Sequence, residues 1–220
     1  MNQEIISCIE NTKIIVIVRR IYGEQLLCLA QALVKGGIRN IEVTFDQSDP
    51  DAPKKTGEAI ELLCKQFGSE LFAGAGTVLT TEQVDTAARC GAKYIISPNT
   101  DLDVIKRTKE LGLISIPGAM TPSEILAAHK AGADFVKVFP AIDLGLGYLK
   151  NIRAPISHVK LVATAGVTEE NFQDFLAAGY CAAGISGRLT DMKLIQTGNY
   201  DELTRRAKVF LQISEEKRSS

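Results

Sequence analysis

A single (β/α)8 barrel is the fold class this sequence predicts, and three observations carry the prediction. Short β-rich apolar runs alternate with stretches of helical period, the alternation repeats eight times in 220 residues, and no Pro/Gly/Ser-rich linker or break in composition divides the chain. Residues 1–220 therefore read as one domain, with 215–220 as a solvated tail. A doubly wound open sheet uses the same alternation, but it calls for a nucleotide-binding loop after an early strand, and GAGTV at Gly74 to Val78 lacks the rest of a GxGxxG spacing.

A short helix over Gln3 to Glu10 precedes the first strand, Ile14 to Val18. The first crossover helix runs from Glu24 to Lys35, because Leu26, Leu29, Ala30 and Leu33 recur on one face. Asn40 to Phe45 is strand two, followed by a helix with a stripe of Ile60, Leu63, Cys64 and Phe67. Leu71 to Ala75 is strand three, and its helix is entered through Thr80 and Gln83 as a capping box. Lys93 to Ile96 forms strand four, with a helix from Asp101; Leu113 to Ile116 forms strand five. Thr121-Pro122-Ser123-Glu124 then marks a helix start, with Pro at the first position and Glu closing the box. Phe135 to Phe139, Lys160 to Thr164 and Cys181 to Ile185 supply strands six, seven and eight.

Charge narrows the function. Lys and Arg total 25 against 26 Asp and Glu, for a formal net charge of −1, and no basic run breaks the pattern. That argues against nucleic acid and for a small-molecule partner. The start, MNQEIISCIENTK, lacks an apolar stretch of signal-peptide length, and no segment approaches the roughly 20 apolar residues of a membrane span, so a cytoplasmic protein is expected. Cys8, Cys28, Cys64, Cys90 and Cys181 are scattered and read as small core residues rather than a disulfide framework or thiolate cluster. His129 and His158 have no metal-ligand spacing, and His129 reads as a packing histidine; carboxylates remain the alternative ligands, for magnesium.

In a parallel barrel, strand residues alternate between the helix layer and the interior, and chemistry sits at the carboxyl ends of the strands. Polar exceptions on an inward parity are therefore informative. Lys137 shares its face with Phe135 and Phe139, so a desolvated, neutral amine able to attack a carbonyl carbon is expected there; a buried ion-paired lysine or a solvated strand end is the alternative. Glu42 points inward with Thr44, as a proton carrier for that amine or as its structural counter-charge. Arg19 shares parity with Ile15 and Ile17, so one of the adjacent Arg19 and Arg20 is a candidate carboxylate clamp at the mouth, the alternative being two surface arginines. Thr77 follows the small residues Gly74-Ala75-Gly76, which suit close approach to a ligand or simply a tight turn. The loops Thr164-Ala165-Gly166-Val167-Thr168 and Gly184-Ile185-Ser186-Gly187-Arg188 combine glycine and hydroxyl groups in the manner of a phosphate cradle, with a helix N-terminus behind it and Arg188 adding charge. Two ordinary glycine turns are the alternative.

In order and over nearly the whole chain, the segments IVIVRR, GGIRNIEVTF, GAGTVLT, ISPNT, IPGAMTPSE, FVKVFPA, TAGV and the final Gly/Ser loop resemble the 2-keto-3-deoxy-6-phosphogluconate (KDPG) and 4-hydroxy-2-oxoglutarate (KHG) aldolases. The resemblance implies a class I, metal-independent aldolase with no cofactor, acting on a keto acid as a homotrimer. Lys137 would be its Schiff-base lysine and Glu42 its general acid/base; Thr77, Pro98, Phe139 and Thr164 would line the pyruvate and hydroxyl end. Ala165, Gly166, Ser186, Gly187 and Arg188 would hold the phosphate. Cleavage of KDPG or a C4 epimer is expected, against KHG cleavage, a phosphate-binding epimerase or synthase, or a non-catalytic phosphosugar-binding barrel. Many members carry an arginine for the substrate carboxylate four positions after the glutamate; Asp46 stands there, and Arg19 is the substitute. Ala165 replaces the first glycine of a common TGG loop, Ser186-Gly187 reverses the usual order, and Asn99 occupies a position where glycine is frequent.

Overall fold

The computed structural model describes residues 2–216. Strands β1 (Ile14–Val18), β2 (Asn40–Thr44), β3 (Phe72–Gly76), β4 (Tyr94–Ile96), β5 (Ile114–Ile116), β6 (Gly118–Ala119), β7 (Val136–Val138), β8 (Leu161–Thr164) and β9 (Ala182–Ile185) form a parallel sheet in the order β5-β4-β3-β2-β1-β9-β8-β7-β6. Each of the eight expected strands is present, its ends shifted by at most one residue.

The ninth segment was not expected, and Pro117 explains it. Proline has no N–H to donate, so the fifth stave is interrupted there. The chain nonetheless continues along the barrel wall: β5 pairs with β4, and β6 pairs with β7. The Ser115 carbonyl accepts from Asp134 N at 3.0 Å and the Pro117 carbonyl from Lys137 N at 2.8 Å, so the two halves of one stave close the ring.

Helix α1 (Asn2–Thr12) precedes β1. Its Ile5 and Ile9, one turn apart, cluster with Ile15, Phe72, Tyr94 and Phe135 at the starts of the strands, plugging the end of the barrel opposite the strand termini. Around the wall lie α2 (Gly23–Lys35), α3 (Ala52–Phe67), α4 (Thr81–Arg89), α5 (Leu102–Glu110), α6 (Pro122–Lys130), α7 (Ala141–Arg153), α8 (Phe172–Ala178), α9 (Met192–Gln196) and α10 (Tyr200–Glu216). The outward strand residues, such as Val16, Val18, Ile41, Val43, Val136 and Val138, bury against them in the larger core. Thr204 of α10 donates to the Ala32 carbonyl of α2 at 2.9 Å, so the last helix seals the seam beside the first crossover.

Three local expectations need correction. Thr121 and Glu124 form the complete capping box, but the α4 box is displaced: Thr80 accepts from Gln83 N, whereas Gln83 Oε1 accepts from Leu79 N at 2.7 Å, one residue early, because its Nε2 is drawn to Gln47 Oε1. The five cysteines are free and only half-buried: Cys64 and Cys90 pack against the edge of the larger core and Cys8 and Cys181 against the smaller one. Glu215 and Glu216 complete α10 instead of starting a tail, since the helix keeps burying Ser214; residues 217–220 of that expected tail lie outside the described residues.

Candidate active site

Because the strands are parallel, their carboxyl ends share one rim, and every residue singled out for chemistry reaches it. Lys137 is 4% exposed, flanked by Val136 and Val138 that face the helices, and its Nζ lies 4.9 Å from the centroid of the Phe139 ring. Glu42 is 2% exposed on β2, with Ile17 and Gly74 as its neighbours in register, and its Oε2 has no hydrogen-bond partner. An orphaned carboxyl oxygen in a buried pocket is costly unless a ligand or bound water meets it.

Burial is the largest influence on both groups and works in opposite senses. It pushes the Glu42 carboxyl up and the Lys137 ammonium down, each opposed by attraction to the other; Arg19 lowers both. Both shifts run towards the neutral form of the group, the direction that nucleophilic attack by the amine and protonation of a departing hydroxyl call for. Space for the carboxyl comes from Gly76, where a Cβ would stand 2.6 Å from Glu42 Oε2.

Where β1, β2 and β3 end there opens a cleft of about 360 Å³ lined by Arg19, Arg20, Thr44, Phe45, Asp46, Gln47 and Thr77; neither Lys137 nor Glu42 lines it. Arg19 is exposed on the inward parity that β1 dictates. Thr77 has a left-handed backbone, φ 55°, and its carbonyl accepts from Gln47 Nε2 at 2.7 Å. Two residues that sequence reasoning did not connect complete this side. Arg20 Nε lies 2.7 Å from Asp46 Oδ2, and Arg20 Nη2 donates to Asp46 Oδ1 at 3.2 Å. Asp46 also accepts from Ser48 N and Oγ, and these bonds, with Arg20, hold its carboxyl down at about 2. Adjacent arginines beside an acid four residues past Glu42 were the available signal.

Pro98 and Phe139, both partly buried, follow β4 and β7, and buried Thr164 ends β8. Ala165 and Gly166 follow with φ 80° and 76°, so the alanine adopts the left-handed conformation that glycine would take more easily. Gly166 has no room for a side chain: its Cβ would fall 2.4 Å from the Cβ of Ile142. Asn171 clips this loop by donating to the Gly166 carbonyl and accepting from Thr168 N, each at 2.8 Å.

The Ser186 carbonyl accepts from Leu189 N at 2.7 Å and from Thr190 N at 3.0 Å, which winds 186–190 into a turn. The helices begin a few residues further on, α8 at Phe172 and α9 at Met192, so a turn separates each loop from the helix N-terminus expected behind it. Arg188 is not an uncompensated cation. Its Nε lies 2.6 Å from Glu169 Oε2, tying the two loops together. The other expected packing residue, His129, stacks edge-on with His158 at 5.0 Å between ring centroids.

The model for the KDPG and KHG aldolase family matches residues 5–206. A probable 2-dehydro-3-deoxy-6-phosphogalactonate aldolase of Rhizobium meliloti (strain 1021) is 36% identical over 177 residues, 80% of this chain and 81% of that protein. A solved native KDPGal structure superimposes with a TM-score of 0.84 at 30% identity, covering 94% of this chain and 96% of that one. The KDPG aldolase of Legionella pneumophila, solved with pyruvate captured at low pH as a covalent carbinolamine intermediate, superimposes with a TM-score of 0.83 at 28% identity, covering 93% and 97%.

Proposed function

This chain belongs to the KDPG and KHG aldolase family, and from that membership we propose a residue-level account of a lyase that cleaves 2-keto-3-deoxy-6-phosphogluconate or its C4 epimer to pyruvate and glyceraldehyde 3-phosphate. The observation that carries the account is the buried juxtaposition of an amine and an unpartnered carboxyl at the carboxyl ends of β7 and β2.

Neutral Lys137 attacks the C2 ketone, and Glu42, directly or through a water, protonates the departing hydroxyl, which leaves as water to give the iminium. The Glu42 carboxylate so formed then removes the proton from the C4 hydroxyl. The C3–C4 bond breaks, its electron pair flows to the iminium nitrogen, and the aldehyde departs. Protonation of the resulting enamine at C3 and hydrolysis return pyruvate and the free amine. Arg19 and Thr77 hold the carboxylate, Pro98, Phe139 and Thr164 shape the pocket around the pyruvyl carbons, and the amides around Ala165, Gly166, Ser186 and Gly187 take the phosphate. We place the enzyme in the cytoplasm, and as a homotrimer, which the family resemblance implies.

Pyruvate release, coupled to lactate dehydrogenase, tests the substrate. The specificity constant for KDPG or its C4 epimer should exceed that for 4-hydroxy-2-oxoglutarate, because phosphate binding far from the reacting carbon helps to hold it in place. Equal constants and no inhibition by inorganic phosphate would instead leave a short-chain hydroxy-keto-acid aldolase, a reading that the Arg188–Glu169 ion pair favours.

A further inference from the structure

Four non-glycine residues among those described have left-handed backbones, and three of them, Arg20 (φ 55°), Thr77 (φ 55°) and Ala165 (φ 80°), directly follow or lie within two residues of strands at the catalytic rim. Such conformations persist where the surroundings over-determine them, and they cluster at functional sites. For Arg20 the surroundings are the loop after β2. The left-handed turn sends its guanidinium across to Asp46, while Arg19, one residue earlier, stays on the inward parity and forms no ion pair among the described residues.

The Arg20 side chain is 71% exposed, so its ion pair contributes little to stability. Its consequence is electrostatic. Asp46 borders the same cleft as Arg19 and Thr77. Without Arg20, its carboxylate would stand as an uncompensated negative charge at the place where the substrate's carboxylate arrives, and it would compete for Arg19. We propose that Arg20 is a positioning residue for the keto-acid carboxylate: by occupying Asp46 it leaves Arg19 unpaired for the substrate and removes a fixed repulsive charge from the mouth. The proposal rests on the aldolase reading above, with pyruvate as the anionic head that both share.

The test uses the full chain, pyruvate and borohydride, and reads the pyruvate concentration that gives half-maximal reductive trapping. Arg20→Gly is the decisive variant, because glycine accepts the left-handed backbone and the fold is kept. Half-saturation should rise about tenfold at low ionic strength and the rise should shrink with added salt, since a partly solvated charge is screened. The melting temperature should stay near that of the wild type. Arg20→Lys, which keeps the charge, and the double variant Arg20→Gly/Asp46→Asn, which removes the repulsion, should both return to within about threefold of the wild type. An unchanged half-saturation in Arg20→Gly, or a double variant as impaired as the single one, overturns the proposal while trapping in the wild type still stands. No adduct in the wild type overturns the aldolase reading and this proposal with it.

Discussion

Gly76→Ala adds one methyl group beside Glu42, the proposed acid/base, and should damage catalysis more than stability. The new Cβ would lie 2.6 Å from Glu42 Oε2 and 2.7 Å from its Cδ, whereas ordinary contact begins near 3.4 Å. The carboxyl must therefore move by about 0.8 Å, and at 2% exposure it has no solvent to move into. A displacement approaching 1 Å at a reacting group costs up to about a hundredfold in rate, so kcat should fall roughly thirty- to a hundredfold. Overpacking should lower stability by about 1 to 3 kcal/mol. The assay is pyruvate release under saturating substrate, beside a thermal melt. Gly147→Ala is the control: nothing lies within 4 Å of its added Cβ on α7, so its rate should match the wild type and its melting temperature should hold or rise. A Gly76→Ala enzyme with the wild-type kcat and an unshifted melt would refute the placement of the Glu42 carboxyl as the proton carrier.

Lys137→Met should abolish turnover yet raise stability at neutral pH by about 1 to 2 kcal/mol, because a desolvated amine is replaced by an apolar chain of similar length. Burial lowers the folded amine's pKa below its usual 10.5, so the unfolded chain binds the proton more tightly and wild-type stability declines as pH falls from 10.5 towards the folded value. The gap in melting temperature between variant and wild type should widen over that window, and a gap that narrows as pH falls would contradict the assigned direction. Arg19→Ala should weaken substrate binding by about 1.5 to 3 kcal/mol, seen as a ten- to hundredfold loss in specificity constant carried mainly by KM; an unchanged constant would remove Arg19 from the site. Glu169→Gln should release Arg188 from its ion pair and tighten competitive inhibition by inorganic phosphate several-fold, while unaltered inhibition would show that this guanidinium does not face the anion.

The alternation of apolar runs was enough to place every strand but β6, because inward and outward parity is a local property of each run: Glu42 and Lys137 stand out as polar residues on the interior side of β2 and β7 without any knowledge of their neighbours. The split stave was not legible, since Pro117 reads as a terminator and only pairing with β4 on one side and β7 on the other shows that the wall continues. The charge partners were hidden for a related reason. Arg20 to Asp46 and Arg188 to Glu169 are pairings between loops of neighbouring strands, set by rim geometry and not by spacing along the chain. Ala165 shows a third limit: its left-handed backbone is imposed by the loop against its own preference, and Asn171, five residues beyond Gly166, is among the groups that hold the loop.

In the proposed mechanism a single buried amine, Lys137, forms the covalent link to substrate. Incubation with pyruvate and borohydride, followed by digestion and mass mapping, tests it most directly, because only an imine is trapped by hydride. One reduced pyruvyl group per chain is expected, on the peptide that carries Lys137, and none in Lys137→Met. An adduct on any other lysine, or no adduct under conditions where the enzyme releases pyruvate, would contradict it.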